Sequence, residues 1–133
     1  MIAEIIKDKL YLGAYDVSRN KLKKKKIRTR YNISGVSLNK AVVSYPVHHF
    51  GTPLEFATAV KILDLLIDSQ APVYIHCLNG ANRSPTVCAL YLAYKYPKEY
   101  PTFVEALNYV TAQRPETYVI LENLESAEQA LLS

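Results

Sequence analysis

The segment Val73-Tyr-Ile-His-Cys77-Leu-Asn-Gly-Ala-Asn-Arg83-Ser-Pro-Thr constrains this chain more than any other stretch of it. A short β-rich run ends at a cysteine, an arginine follows after five intervening residues, and a helix-forming sequence opens at Ser84-Pro85, with proline suited to a first helical turn. A strand-to-helix loop of this length can curl so that successive backbone N–H groups face inward and make a nest for an anion. The start of the helix adds partial positive charge and unpaired N–H donors. Gly80 lies mid-loop, where a tight cradle needs positive φ. Arg83 carries a planar fork that can hold two phosphate oxygens. Leu78, Asn79, Gly80, Ala81, Asn82 and Arg83 are therefore the candidate phosphate-binding set.

The same field acts on Cys77. A thiol at a helix N-terminus beside a guanidinium loses its proton more readily, and a thiolate on the floor of a phosphate cradle is placed for in-line attack on phosphorus. The Ser84 hydroxyl can hydrogen-bond the sulfur and stabilise it as a leaving group in a second step. His76 is expected to hold the loop from a buried position and not to act as a base. A chance neighbourhood of a buried cysteine and a surface arginine would explain either residue alone, but not the whole order of strand, His-Cys, central glycine, Arg-Ser and helix.

Around this segment the pattern is α/β. Residues 9–13 read as a short strand stopped by Gly13, 16–24 as a short helix, 31–36 as the end of a strand, 41–47 as β-rich and 48–53 as a loop. Phe56, Val60, Leu63, Leu66 and Ile67 recur at helical spacing across 55–69. Residues 72–77 form the best candidate for a buried central strand, and an apolar helix follows to about Tyr96. Thr102 and Glu105 make a capping-box pattern that opens a helix to about Gln113, and a last helix covers roughly 118–132. The expected fold is a small, mostly parallel central sheet flanked by helices, in one domain over residues 1–133.

Composition narrows the setting. Half of the 133 residues are hydrophobic and 21% are charged, as in ordinary soluble proteins. No apolar run approaches the roughly 18 residues of a membrane span, and the N-terminal stretch lacks a basic-then-apolar signal pattern. The expectation is a soluble, cytoplasmic protein without membrane contact. Two cysteines are too few for a disulfide framework. Cys88 reads as core packing, with a protective disulfide to Cys77 as the sharper alternative. No cluster has metal-ligand spacing, and no cofactor is called for. Residues 21–30 hold seven of the sixteen basic residues and no acid, while the remainder sets nine basic against twelve acidic residues. That run reads as a solvated surface or as an attractor for phosphorylated protein, nucleic acid or an anionic membrane.

His76-Cys77-Leu-Asn-Gly80-Ala-Asn-Arg83-Ser84 resembles the His-Cys-x5-Arg-Ser/Thr signature of the protein tyrosine phosphatase superfamily, and the wider match is to its dual-specificity branch. Leu10-Tyr-Leu-Gly13 looks like that family's first strand, Tyr31-Asn-Ile-Ser34 like its second, and Glu105-Ala-Leu with Arg114-Pro115 like its late helix and the Arg-Pro that closes it. The resemblance spans about residues 5–130. It implies a protein tyrosine phosphatase-like fold and a metal-independent, two-step hydrolysis of phosphorylated protein through a cysteinyl-phosphate on Cys77.

One departure stands out. The family places a general-acid aspartate on a loop roughly thirty residues before the cysteine, and here the matching stretch is Pro46-Val-His48-His49-Phe-Gly-Thr-Pro53. Between Asp16 and Asp64 the only acid is Glu55. His49 falls where the aspartate should be, with His48 as its neighbour and alternative; histidine titrates near neutrality and can deliver a proton. Both can equally be ordinary loop residues. The short chain leaves little room for loops that deepen a tyrosine-only pocket, so phosphotyrosine with phosphoserine or phosphothreonine is expected. Two other readings stay open. One is an RNA 5′-triphosphatase of the same fold, suggested by Asn82 before Arg83, by the missing acid and by the 21–30 run as a hold on an RNA backbone. The other is a catalytically weak phosphate-binding module.

Overall fold

The computed structural model describes residues 2–36 and 43–132. The chain folds as β1 (Ala3–Ile6), β2 (Leu10–Gly13), α1 (Arg19–Lys24), β3 (Thr29–Asn32), β4 (Val43–Ser44), α2 (Pro53–Gln70), β5 (Val73–His76), α3 (Arg83–Lys95), α4 (Phe103–Gln113) and α5 (Leu121–Leu132). The strands form one sheet in the order β1-β2-β5-β3-β4. Only the β1–β2 pair is antiparallel; β5 runs parallel to both β2 and β3, and β3 parallel to β4. The expected mostly parallel α/β architecture is the one observed.

β5 lies in the middle of this order, and all four of its residues are buried, as a strand covered on both faces requires. Gly13 of β2 and Asn32 of β3 both pair with His76, so three parallel strands end level with one another. Crevices at the carboxyl ends of parallel strands are where α/β folds place ligands, and Cys77 is the next residue. α3, which leaves the loop after Cys77, is the core helix: Arg83 through Ala93 are all buried. It packs against α2, α4 and α5.

Some elements differ from the expectation in ways the contacts explain. β1 was not anticipated. Its signal is a period of two, with Ala3 and Ile5 buried on either side of exposed Glu4. The helix expected over 16–24 starts at Arg19, because Ser18 caps it by accepting from the Lys21 N–H. α2 begins at Pro53 behind a full capping box between Thr52 and Glu55. Of the β-rich 41–47 stretch, residues 41 and 42 lie outside the described residues. Pairing covers Val43–Ser44 and continues as Tyr45 N–H to Asn32 O and Val47 N–H to Ile33 O. The last helix starts at Leu121 and not 118, because Tyr118 and Ile120 spend their N–H groups on the loop after β5. Cys88 is wholly buried in the core, and both cysteines are free thiols. Among the described residues no helix is long and apolar enough to cross a membrane.

Candidate functional site

The 77–82 loop owes its shape to what holds its carbonyls. Cys77 O accepts from His76 Nδ1 at 3.0 Å and Leu78 O from the Tyr15 N–H at 3.0 Å. Asn79 O and Gly80 O accept from Arg114 Nη2 and Nε at 2.9 and 2.8 Å. Ala81 O accepts from the Tyr118 N–H at 2.6 Å, and Asn82 O from the Thr86 N–H and hydroxyl. Six successive carbonyls are bound from outside, and the Gly80 and Ser84 N–H groups reach the Cys77 sulfur, the arrangement from which an anion nest is built. Gly80 has φ +67°, and a Cβ there would sit 2.3 Å from Gly13 O. The loop is thus pressed onto the end of β2, and no other residue fits that position without moving it.

Cys77 lies on the floor, 3% exposed, with its Sγ 3.2 Å from Ser84 Oγ. Burial alone would push its thiol up. Bonds to the sulfur from the Ser84 hydroxyl and from the Ser84 and Gly80 N–H groups, with the Arg83 charge, outweigh burial and hold the thiol below its usual range.

Arg83 is buried, and its Nη1 donates to Ser34 O at 2.9 Å and Val47 O at 2.8 Å. Among the described residues its Nε and Nη2 have no acceptor, which leaves two donors for an anion. The Ser34 carbonyl is presented by a turn built from the Asn-x-Ser stretch. Asn32 Oδ1 accepts from the Ser34 N–H and hydroxyl, while Asn32 Nδ2 donates to Val36 O. The Val47 carbonyl ties the 47–51 segment to the same guanidinium.

His76 is fully buried between two partners. Arg30 Nε donates to His76 Nε2 at 3.0 Å, so Nδ1 carries the proton that goes to Cys77 O. Burial pulls its pKa down to about 4; the Cys77 carbonyl opposes this and the Arg30 charge adds to it. His76 is therefore neutral at ordinary pH and holds the loop without exchanging protons. The other arm of Arg30 donates to Tyr15 O, whose own N–H binds Leu78 O. Arg30, through His76 and Tyr15, and Arg114 directly thus brace the first four carbonyls of the loop. One member of the basic 21–30 run is committed to the site, whereas Lys21 and Lys23–Lys26 are exposed.

The two loop histidines differ. His48 Nδ1 donates to Glu55 Oε2 at 2.6 Å, which ties it to the start of α2. His49 is exposed; its ring meets the edge of Phe50 at 5.0 Å, and its carbonyl accepts from Asn123 Nδ2 at 2.9 Å. Glu55, the only acid nearby in sequence, is already used. Burial alone would raise its pKa, but the Thr52 N–H and the His48 contacts hold it below the usual value, so it stays ionised. Asn82 contributes its backbone to the loop, while its amide oxygen accepts from the Ile120 N–H and Asn123 Nδ2, each at 3.2 Å.

The roles of Arg30, Arg114 and Asn123 were not anticipated from sequence. Arg114-Pro115 was visible as a motif, but nothing local tied it to Asn79 and Gly80. Among the described residues no group of three or more His, Cys, Asp or Glu is arranged to hold a metal ion.

The family model for the dual specificity phosphatase catalytic domain matches residues 10–129. Protein-tyrosine-phosphatase IBR5 of Arabidopsis thaliana is 31% identical over 136 residues, covering 97% of this chain and 52% of its own length. The chain therefore spans about half the length of that relative. Among solved structures, PTPMT1 superposes with a TM-score of 0.81 at 17% identity, covering 99% of this chain and 94% of that one; it has also been solved in complex with PI(5)P. Human DUSP28 superposes with a TM-score of 0.76 at 17% identity, covering 99% and 95%. At these identities the structural likeness concerns the fold.

Proposed function

The chain belongs to the dual specificity phosphatase family, and on that premise we propose that it hydrolyses phosphotyrosine and phosphoserine or phosphothreonine in proteins through a cysteinyl-phosphate on Cys77. The observation that carries this reading is the Cys77 sulfur, 3.2 Å from Ser84 Oγ, on the floor of a loop whose carbonyls are all held outward.

Inward N–H groups and the two open donors of Arg83 would hold the phosphoryl oxygens. The Cys77 thiolate forms an S–P bond as the P–O bond to the substrate breaks, and His49 gives its proton to the departing oxygen. Water then attacks phosphorus, returns a proton to His49, and the S–P bond breaks with its electron pair going back to sulfur. Ser84 stabilises that thiolate by hydrogen bonding. His49 is favoured over His48 because Glu55 already engages His48, and because the 49 carbonyl is bonded to a side chain that also contacts the cradle. PTPMT1 has been solved with a phosphoinositide; here residues 78–82 carry no basic side chain to read further phosphates, which supports phosphoprotein.

A second reading has its own observation. Every carboxylate is absent from 17–54, and Glu55 is ionised and occupied. A reaction whose leaving group needs no proton, such as cleavage of the phosphoanhydride of triphosphate-ended RNA, fits that set equally.

Phosphotyrosine peptide, phosphothreonine peptide and triphosphate-ended RNA assayed side by side, with Cys77→Ser as control, decide between them. Peptide hydrolysis lost in Cys77→Ser is the expected result. Activity confined to the RNA overturns the protein substrate, and peptide activity that survives Cys77→Ser overturns the mechanism.

A further inference from the structure

Asn123 stands in the first turn of α5, wholly buried, with every hydrogen-bonding group of its amide in use. Its Oδ1 accepts from the Gly51 N–H at 2.8 Å, and its Nδ2 donates to His49 O at 2.9 Å and to Asn82 Oδ1 at 3.2 Å. The amide orientation is fixed by its partners, since turning it over would face its donors toward the Gly51 N–H. One side chain therefore clasps the peptides on both sides of Phe50 and joins them to the cradle residue Asn82. Two residues earlier, Val47 O is held by Arg83. The backbone of an otherwise exposed run, 48–50, is tied at 48 to Glu55 Oε2, and at 47, 49 and 51 by bonds that lead to residues of the phosphate loop.

From this geometry we infer that Asn123 is a positioning residue: it holds the His49 segment in register with the phosphate cradle and thereby sets how well the enzyme handles poor leaving groups. The inference rests on the reading of His49 as proton donor. A donor must lie within hydrogen-bond reach of the departing oxygen, and a displacement of about 1 Å can cost on the order of 100-fold. A substrate whose leaving group departs without a proton is little affected by such a displacement. Asn82, whose amide oxygen is engaged by α5, gains a role in this arrangement as the cradle end of the clasp.

The test uses Asn123→Asp, Asn123→Ser, His49→Ala and the Asn123→Asp/His49→Ala double variant, with melting curves on each. The substrates are nitrophenyl phosphate, phosphotyrosine peptide and phosphoserine peptide. Aspartate keeps the acceptor for Gly51 but cannot donate to His49 O or Asn82; serine is the variant to use if aspartate does not fold. The expected result is a loss in kcat that grows with leaving-group pKa, reaching on the order of 10- to 100-fold on the phosphoserine peptide. The double variant should then be no steeper than His49→Ala alone, because the two residues act through one proton. A graded His49→Ala profile beside a flat Asn123 profile overturns the positioning role and spares the donor. A flat His49→Ala profile overturns both. Additive losses in the double variant show that Asn123 does not act through His49, and overturn the inference.

Discussion

The cradle loop and the 47–51 segment beside it meet at Arg83, yet they are held in different ways. In the cradle every carbonyl from Cys77 to Asn82 is bound from outside, by donors from the end of β5, from the β2–α1 loop, from α3 and from the stretch between α4 and α5. In the 47–51 segment the backbone is tied toward the cradle at 47, 49 and 51 and to Glu55 Oε2 at 48, while the side chains of 48–50 stand in solvent. The difference follows the chemistry each would serve. An oxyanion site works by dipoles that are already aimed before charge develops, so its backbone must not relax. A proton donor has to reach substrates of different shape, so its backbone is located while its imidazole stays accessible.

Substitutions can break the comparison from either side. The largest effect is expected from Cys77→Ser, which should reduce turnover at least 1,000-fold, about the scale of losing a nucleophile. Turnover fails because the serine hydroxyl is not ionised, whereas oxyanion binding should survive because the cradle remains; an activity assay measures the first and calorimetric titration with inorganic phosphate the second. Next comes Arg83→Lys, with an expected loss of about 100-fold in kcat/KM. The charge is kept, but the fork that holds the Ser34 and Val47 carbonyls and would grip the phosphoryl group is gone. A near-normal Arg83→Lys enzyme would mean that the guanidinium serves only Ser34 and Val47.

Arg114→Met should act on the cradle and not on the 47–51 segment. It strips the donors from Asn79 O and Gly80 O, two carbonyls in a buried setting, at about 1–3 kcal/mol each. Lower thermal stability together with weaker vanadate binding is the expected pair of results. Stability loss without weaker binding would sever the link between bracing and anion affinity. Ser84→Ala should move the pH profile of Cys77 alkylation upward, because one of the bonds that hold the thiol low is removed and the opposing effect of burial is kept. Alkylation rate against pH gives the answer, and an unchanged profile would assign the low pKa to the backbone N–H groups and Arg83.

The smallest effect concerns His76. Its folded pKa is about 4, against about 6.5 for a free histidine, so between those values the unfolded chain binds more protons. Stability should fall as pH drops from about 6.5 toward about 4, and His76→Asn should flatten that part of the curve. A melting temperature that does not respond to pH in this window would show that the imidazole is not held neutral.

How much of this was legible in the sequence depends on distance along the chain. Cys77, Gly80, Arg83 and Ser84 could be read as one cluster because thiol, glycine turn, guanidinium and hydroxyl sit within eight residues between a β run and a helix. The capping boxes at Thr52 and Thr102 form within a single helical turn. What went unread is long-range. Arg30 reaches His76 across 46 residues, Arg114 reaches Gly80 across 34, and Asn123 reaches His49 across 74. No local pattern distinguishes Arg30 from the lysines before it; only the pairing of β3 with β5 brings it to His76. The late start of α5 has the same origin, since the N–H groups of 118 and 120 are claimed by a loop that sequence reasoning treats separately.

The most direct measurement on the central claim is mass analysis of enzyme quenched in acid during steady-state turnover of a phosphotyrosine peptide. The expected result is a protein heavier by one phosphoryl group, located by digestion to Cys77 and lost in Cys77→Ser. Turnover without any such adduct, or an adduct on another residue, would contradict the assignment of Cys77 as the nucleophile.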